Sequence, residues 1–232
     1  MKSIAIIIPI VNNFGGAVQA LQSVNTKHSW TPIILPQWRE SKPLSAAWNK
    51  GIDEAFNEKS FDYALVINDD IIFTPHTIDN LVTEFENQSE DVLMLTGSNT
   101  RIDIDEKYGT PLGAFGYPDP GITGNFREHP DFSCFMIDRR LPEVVGKFDE
   151  NFIPAYFEDN DMHYRIQLAG CKAGCTYSAP YYHFGSQTAK PESFHETFRA
   201  NREYYVRKWG AAPGQETFAK PFNDASKTWK DF

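Results

Sequence analysis

Two acidic clusters and one histidine are the residues of this chain best suited to chemistry. The first cluster, Asn68-Asp69-Asp70, lies inside YALVINDDIIF, where apolar residues run up to the acids and resume directly after them. A buried carboxylate without a partner is costly, so the pattern asks for compensation. One reading is a plain turn at a strand end, since Asp and Asn favour turns. The other is a strand that delivers carboxylates to a ligand crevice. Mg2+ and Mn2+ are often held there by one or two protein carboxylates, with phosphate oxygens completing the shell.

The second cluster is Glu158, Asp159 and Asp161 within FDENFIPAYFEDNDMHYR. Acids at this spacing suit the first turn of a helix, where they complement its dipole. They are also surrounded by Phe152, Ile153, Tyr156 and Phe157, and apolar surroundings raise carboxyl pKa values toward those of a general base. His183, in APYYHFGS, is either a structural histidine or a further ligand for a cation in the crevice. His163 is the weaker candidate of the same kind.

The elements that must position these groups follow from apolar periodicity. IAIIIPI (residues 4–10) is a continuous apolar run of strand length, as expected of a parallel strand covered on both faces. A glycine turn at Gly15-Gly16 leads to a helical pattern in Ala17, Leu21 and Val24. A second strand is expected over Pro32 to Leu35, and a second helix through Leu44, Trp48, Ile52 and Phe56. Tyr63 to Ile67 is the third strand. Ile78, Leu81, Val82 and Phe85 give an i, i+3, i+4, i+7 face, and Val92 to Leu95 a fourth strand. This alternation predicts an α/β domain with a mostly parallel sheet, and right-handed crossovers bring the strand ends to one edge. Asn12 and Asp69-Asp70 should therefore share a crevice.

Beyond Gly97 the texture changes to glycine, proline and aromatic residues as far as Pro130, which reads as a long loop of the kind that is usually functional or mobile. FSCFMIDR is a further strand, DNDMHYRIQLAG a short helix closed by Gly170, and Ser193 to Trp209 helical. There is no run of about 18 apolar residues, so no membrane span is expected. The N-terminal run is β-branched, contains Pro9 and lacks a small-residue cleavage site, so it reads as a first strand and not as a signal peptide. Three cysteines, an odd count, suggest reduced thiols and a cytoplasmic setting, and CKAGC has the wrong spacing for zinc. The net charge of −9 disfavours a broad nucleic-acid-binding surface.

Taken in order, IAIIIPIVNN, PLSAAWNKGIDEA, YALVINDDIIFTPHTIDNLV, VVGKFDENFIPAYFEDNDMHYRIQLAGCKAG and YYHFGSQT resemble the blocks of glycosyltransferase family 2, some of whose relatives are encoded by phages. The resemblance spans roughly residues 4–186 and is most specific in Glu158-Asp159-x-Asp161. It implies a GT-A fold, with residues 1–98 as the nucleotide-sugar half and 99–186 as the acceptor and catalytic half; residues 187–232 lie beyond it and read as a helical extension packed on them. It also implies an inverting transfer from a nucleotide-diphosphate sugar to an acceptor hydroxyl with Mn2+ or Mg2+ as cofactor. Asp70 would be the metal ligand, with His183 completing the metal or diphosphate site. Asp69 would serve the ribose or the metal's water shell, and Asp159 would be the base. Glu158 and Asp161 would orient Asp159 or the acceptor, and Arg165 would hold the acidic cluster. Pro9, Val11, Asn12, Asn49 and Asn68 fall in the donor-binding blocks. The interval TPIILPQWRESKPLSAAWN is too short for the family's usual strand–helix–strand, so one βα unit is shortened; Gln37, Trp38 and Arg39 stand where a base-reading Asp would be.

Two rivals come from other classes. A nucleotidyltransferase would want a glycine-rich basic loop after the first strand, but Asn12 to Gly16 holds no Lys or Arg. A catalytically silent sugar- or nucleotide-binding module would not need both acidic clusters. The acceptor is expected to be a glycan, with a hydroxymethylated DNA base as the minority alternative. The mixture of Tyr204, Tyr205 and Trp209 with Arg202, Arg207 and Lys208 either packs on the domain or covers the acceptor.

Overall fold

A computed structural model describes residues 1–37, 42–100, 126–127, 130, 132–184 and 191–232. Among them an eight-stranded sheet is formed by β1 (Ser3–Ile10), β2 (Ser29–Pro36), β3 (Tyr63–Ile67), β4 (Ile71–Phe73), β5 (Val92–Thr100), β6 (Phe126–Arg127), β7 (Cys134–Asp138) and β8 (Lys172–His183). The order is β2-β1-β3-β7-β5-β8-β4, with β6 on β8. β2, β1 and β3 are parallel neighbours. β7 then runs antiparallel between β3 and β5, so β5 and β8 recover the direction of β1. The sheet is thus mostly parallel in direction, although the fourth predicted strand does not neighbour the third. β2 forms the edge, in keeping with a shortened βα unit.

The continuous apolar runs are explained by burial on both faces. On β1, Ala5 and Ile7 enter a core with Trp48, Phe135, Phe148 and Ile166, whereas Ile4, Ile6, Ile8 and Ile10 enter a second core with Leu81, Phe85 and Met136. Helix α2 (Leu44–Asp53) contributes to the first core, and helices α1 (Phe14–Gln22) and α3 (Thr77–Asn87) contribute to the second. A short helix α4 (Leu141–Val144) precedes α5 (Glu158–Leu168). Gly170, at φ +73°, ends α5: its N–H bonds Gln167 O at 2.9 Å, and that of Cys171 bonds Ile166 O at 3.0 Å. This turn feeds the start of β8, so α5 points its N-terminus back toward the edge where β1 and β3 end.

The C-terminal helix α6 (Pro191–Trp209) completes the scaffold. Tyr205 and Trp209 are buried against Phe152 and Phe157, while Arg202 and Arg207 stay exposed. Lys208 is buried with them, bonding Asp149 Oδ2 and Asp161 Oδ1, each at 2.7 Å. Asp161 also takes Arg165 Nε at 2.8 Å and Trp209 Nε1 at 2.8 Å. Arg165 spends its other nitrogens on the carbonyls of Val145, Lys147 and Trp229. Two acids and two bases thereby neutralise one another in the interior, and the aromatic-basic segment packs its rings and one of its cations inward. Burial pulls the Lys208 ammonium below its ordinary value even though both carboxylates oppose the shift.

Lys208→Met should leave Asp149 and Asp161 facing each other without a cation between them. The expected loss is about 3–5 kcal/mol, read in a thermal melt as a fall in Tm on the order of 10 °C.

Candidate functional site

The first site is built where β1, β3 and β8 end. β3 stops at Ile67, a turn carries Asp69 and Asp70, and β4 pairs at once with the end of β8, which brings Ile71 opposite His183. The apolar residues after the acids are therefore a second, antiparallel strand. Both aspartates are only 6 % exposed. Asp70 Oδ1 lies 3.1 Å from His183 Nε2, and the other ring nitrogen of His183 lies 3.2 Å from Asn99 Nδ2. Asp69 has no such partner, and its buried Oδ2 makes no hydrogen bond. Burial, followed by the charge of Asp70, pushes the Asp69 carboxyl up to about 6, with backbone amides of Val11 and Asn13 opposing that rise.

Helix α1 closes the same site from above. Asn13 caps it by accepting from Gly16 N at 3.0 Å, and its Nδ2 donates to Asp69 O at 2.8 Å. A Cβ on Gly16 would fall 2.2 Å from that carbonyl, so only glycine lets the helix start approach the acidic turn this closely. A cleft of about 340 Å³ opens here, lined by Asp70 and Ile71 on one side, Asn13, Gly15, Gly16 and Gln19 on the other, and Phe184. Sequence reasoning named Asn12, but that side chain is exposed and the link to Asp69 is made by Asn13. The signal was present as Asn-x-x-Gly, an N-cap followed by the glycine whose amide it takes.

The other expected donor residues are spread along the same edge. Pro9 is buried past the end of the β1–β3 ladder at Ile7, and Val11 is 37 % exposed. The backbone N–H of Asn68 bonds Ser133 O at 2.9 Å, and Gln37 Nε2 reaches Pro43 O at 3.3 Å. Trp38, Arg39, Gly185, Ser186 and most of the expected long loop lie outside the described residues. Asn49 does not line the cleft. It is buried, donating to Phe148 O and Glu150 Oε1, each at 2.9 Å, and accepting from Phe148 N at 2.8 Å. It clamps α2 to the segment leading into the second cluster, and Leu44 N adds a bond to Pro154 O at 2.8 Å.

That second cluster opens α5. Tyr156 and Phe157 both adopt positive φ, 84° and 75°, before the helix begins at Glu158. Glu158 is 4 % exposed and its Oε2 makes no hydrogen bond, whereas Asp159 is half-buried and accepts from Asn160 N at 2.8 Å. Burial, then the charge of Asp159, raises the Glu158 carboxyl to about 8. Glu158 therefore holds its proton more readily than an exposed acid would. Asp161 stands apart from this pair. Solvent does not reach it and both its oxygens are taken by the interior network, so its place is in the scaffold and not beside an acceptor. His163 lies further along α5, 3.4 Å from Gln167 Nε2.

Among the described residues no three His, Cys, Asp or Glu side chains form a ready-made metal cage. Asp69 and Asp70 still suit a hard cation that brings phosphate and water oxygens with it: the pair is concentrated, buried, and includes one unbonded oxygen.

No protein-family model and no curated protein sequence matches this chain. Solved structures do match it. The catalytic domain of Drosophila β1,4-galactosyltransferase 7 in complex with xylobiose superimposes with a TM-score of 0.56 at 14 % identity, covering 86 % of this chain and 80 % of that one. A substituted form of the same enzyme, in complex with manganese, UDP-Gal and xylobiose, gives a TM-score of 0.54 at 13 % identity, covering 94 % and 77 %. The fold is thus that of GT-A-type glycosyltransferases.

A carboxyl raised from 4.5 to about 8 weakens the folded state as pH climbs between those values, because the unfolded chain gives up the proton first. Glu158→Gln should therefore match the wild type in Tm near pH 4 and exceed it by several degrees at pH 8.5. Parallel melting curves across that range test the assignment.

Proposed function

We propose that this protein is a metal-dependent, inverting glycosyltransferase that moves a sugar from a nucleotide-diphosphate sugar to an acceptor hydroxyl. The observation that carries the reading is the buried Asp69–Asp70 pair at the ends of β1, β3 and β8, with His183 in contact with Asp70 and a cleft opening beside it. The second acidic pair stands at the start of α5, whose C-terminus feeds the opposite end of β8. The structural neighbours, one holding manganese, UDP-Gal and xylobiose, support the same class of donor, cofactor and acceptor. Membership of glycosyltransferase family 2 is the narrower form of this proposal, and a cytoplasmic setting accompanies it. The three cysteines form no disulfide with one another, and no helix among the described residues is long and apolar enough to cross a membrane.

Asp70 and Asp69 would hold the cation, which supplies charge neutralisation for the departing diphosphate when bound. His183 orients Asp70 through their 3.1 Å contact. Asp159 takes the proton from the acceptor hydroxyl as its oxygen bonds to the anomeric carbon and the bond to the diphosphate oxygen breaks. Glu158 stands beside it with its carboxyl raised by burial and then by the charge of Asp159. Arg165 and Asp161 fix the helix that carries both. The donor base, sugar and acceptor follow from chemistry beyond these side chains, and a glycan acceptor is favoured over modified DNA by the acidic surroundings.

Donor hydrolysis or transfer assayed with Mn2+ tests the assignment. Asp70→Ala should lose metal-dependent donor binding, seen as loss of the nucleotide-diphosphate thermal shift. Asp159→Asn should retain that shift while turnover falls about 100-fold or more. Wild-type turnover in Asp159→Asn would remove it as the base.

A further inference from the structure

The start of α5 has a feature that the reaction as described does not use. Tyr156 and Phe157 are bulky residues held consecutively at positive φ, a conformation that costs each about 1–2 kcal/mol. Phe157 offsets this by burial against Tyr205, their ring centroids 5.8 Å apart. Tyr156 is only half-buried, so burial accounts for its position less well. Its ring meets Phe198 of α6 edge-on, with centroids 5.9 Å apart, and Phe198 also lies 5.0 Å from Phe157. Phe198 is nevertheless 38 % exposed. Asn201, one turn further along α6, ties the helix to the same loop by donating to Ala155 O at 2.7 Å.

The result is a partly exposed aromatic surface, fixed by a strained loop and a second helix, directly before Glu158 and Asp159. Burial, and after it the nearby Glu158 carboxyl, holds the Tyr156 phenol above its ordinary value. An aromatic face beside a proton acceptor suits a ligand with one apolar face and several hydroxyls, as a pyranose ring has. It suits a phosphodiester less well, because Glu158 and Asp159 adjoin it and Arg199 is already paired with Glu203 at 3.0 Å. Arg202, one turn beyond Phe198 and exposed, makes an oligonucleotide the rival occupant.

We propose that Tyr156 and Phe198 form a stacking platform for the acceptor's sugar ring, so that the acceptor is a glycan and α6 supplies part of its binding site. The proposal rests on the glycosyltransferase reading for the direction in which the sugar is presented to Asp159. The ring lies against Phe198 with its hydroxyl edge toward the carboxylate.

Saturation-transfer NMR with xylobiose, cellobiose and lactose, on the full chain, tests it. The wild type should show saturation concentrated on the axial hydrogens of one ring face for at least one disaccharide. Phe198→Ala should weaken that binding about tenfold, and Phe198→Tyr should restore it. Because Phe198 is partly exposed, a Tm within a few degrees of wild type confirms that the alanine variant is folded. Equal binding by wild type and Phe198→Ala would overturn the platform, and so would the absence of binding by every disaccharide. A single-stranded oligonucleotide whose binding depends on Phe198, where the disaccharides do not bind, would overturn it in favour of nucleobase stacking. A Mn2+-dependent thermal shift with nucleotide diphosphates, run alongside, separates the two levels. The shift without disaccharide binding sinks the platform alone, and Phe198-dependent disaccharide binding without the shift sinks the donor reading alone.

Discussion

Lys208 sits in the protein interior between Asp149 and Asp161, and much of the architecture around α5 and α6 depends on that contact. An ammonium with no exposure is stable there only because two carboxylates face it, and they are tolerable only because Lys208 and Arg165 answer them. The four residues come from the loop before α5, from α5 itself and from α6, so charge neutrality is reached only when all three are assembled. Phe232 adds to this by placing its ring 3.4 Å from the Lys208 ammonium, which draws the chain terminus onto the same core. The network carries no chemistry of its own. It fixes the first turn of α5, and with it the orientation of Glu158 and Asp159.

The two acidic pairs show how different environments divide labour among identical groups. Asp70 has a histidine within hydrogen-bonding reach, whereas Asp69 keeps an unbonded buried oxygen and is pushed upward by burial and by Asp70. In the second pair, burial and the neighbouring Asp159 raise the Glu158 carboxyl, and Asp159 is the more exposed of the two. The two pairs thus differ in environment: a histidine stands beside one acid of the first, and burial favours a proton on one acid of the second. That contrast is what a metal-assisted leaving group and a general base require of neighbouring carboxylates.

Much of this was legible in the chain. The strands at Tyr63–Ile67 and Cys134–Asp138 and the buried face Ile78, Leu81, Val82 and Phe85 are where the apolar pattern put them. The turn at Asp69–Asp70, the helix start at Glu158 and the Gly170 stop were equally readable, because capping and turn chemistry are local. The reading was less successful with residues whose partners are distant in sequence. Asn49 resembled a donor residue, yet it bonds the backbone of Phe148, 99 positions away. Asp161 resembled a member of the acidic site until Lys208 and Trp209 claimed both sides of one oxygen.

The sequence alone determined the alternation of strands and helices, the burial of β1 and β3 on both faces, and the presence of two carboxylate pairs at element ends. These follow from side-chain periodicity and local backbone preference, which act over a few residues. Tertiary structure decided the rest: the insertion of β7 between β3 and β5, the pairing of β4 with β8 that sets His183 against Asp70, and the choice of Asn13 over Asn12. It also decided which acids face solvent and which face Lys208 or Arg165. Strand order and charge pairing depend on contacts across tens of residues, and the energy of a buried charge is defined only once its partner is in place.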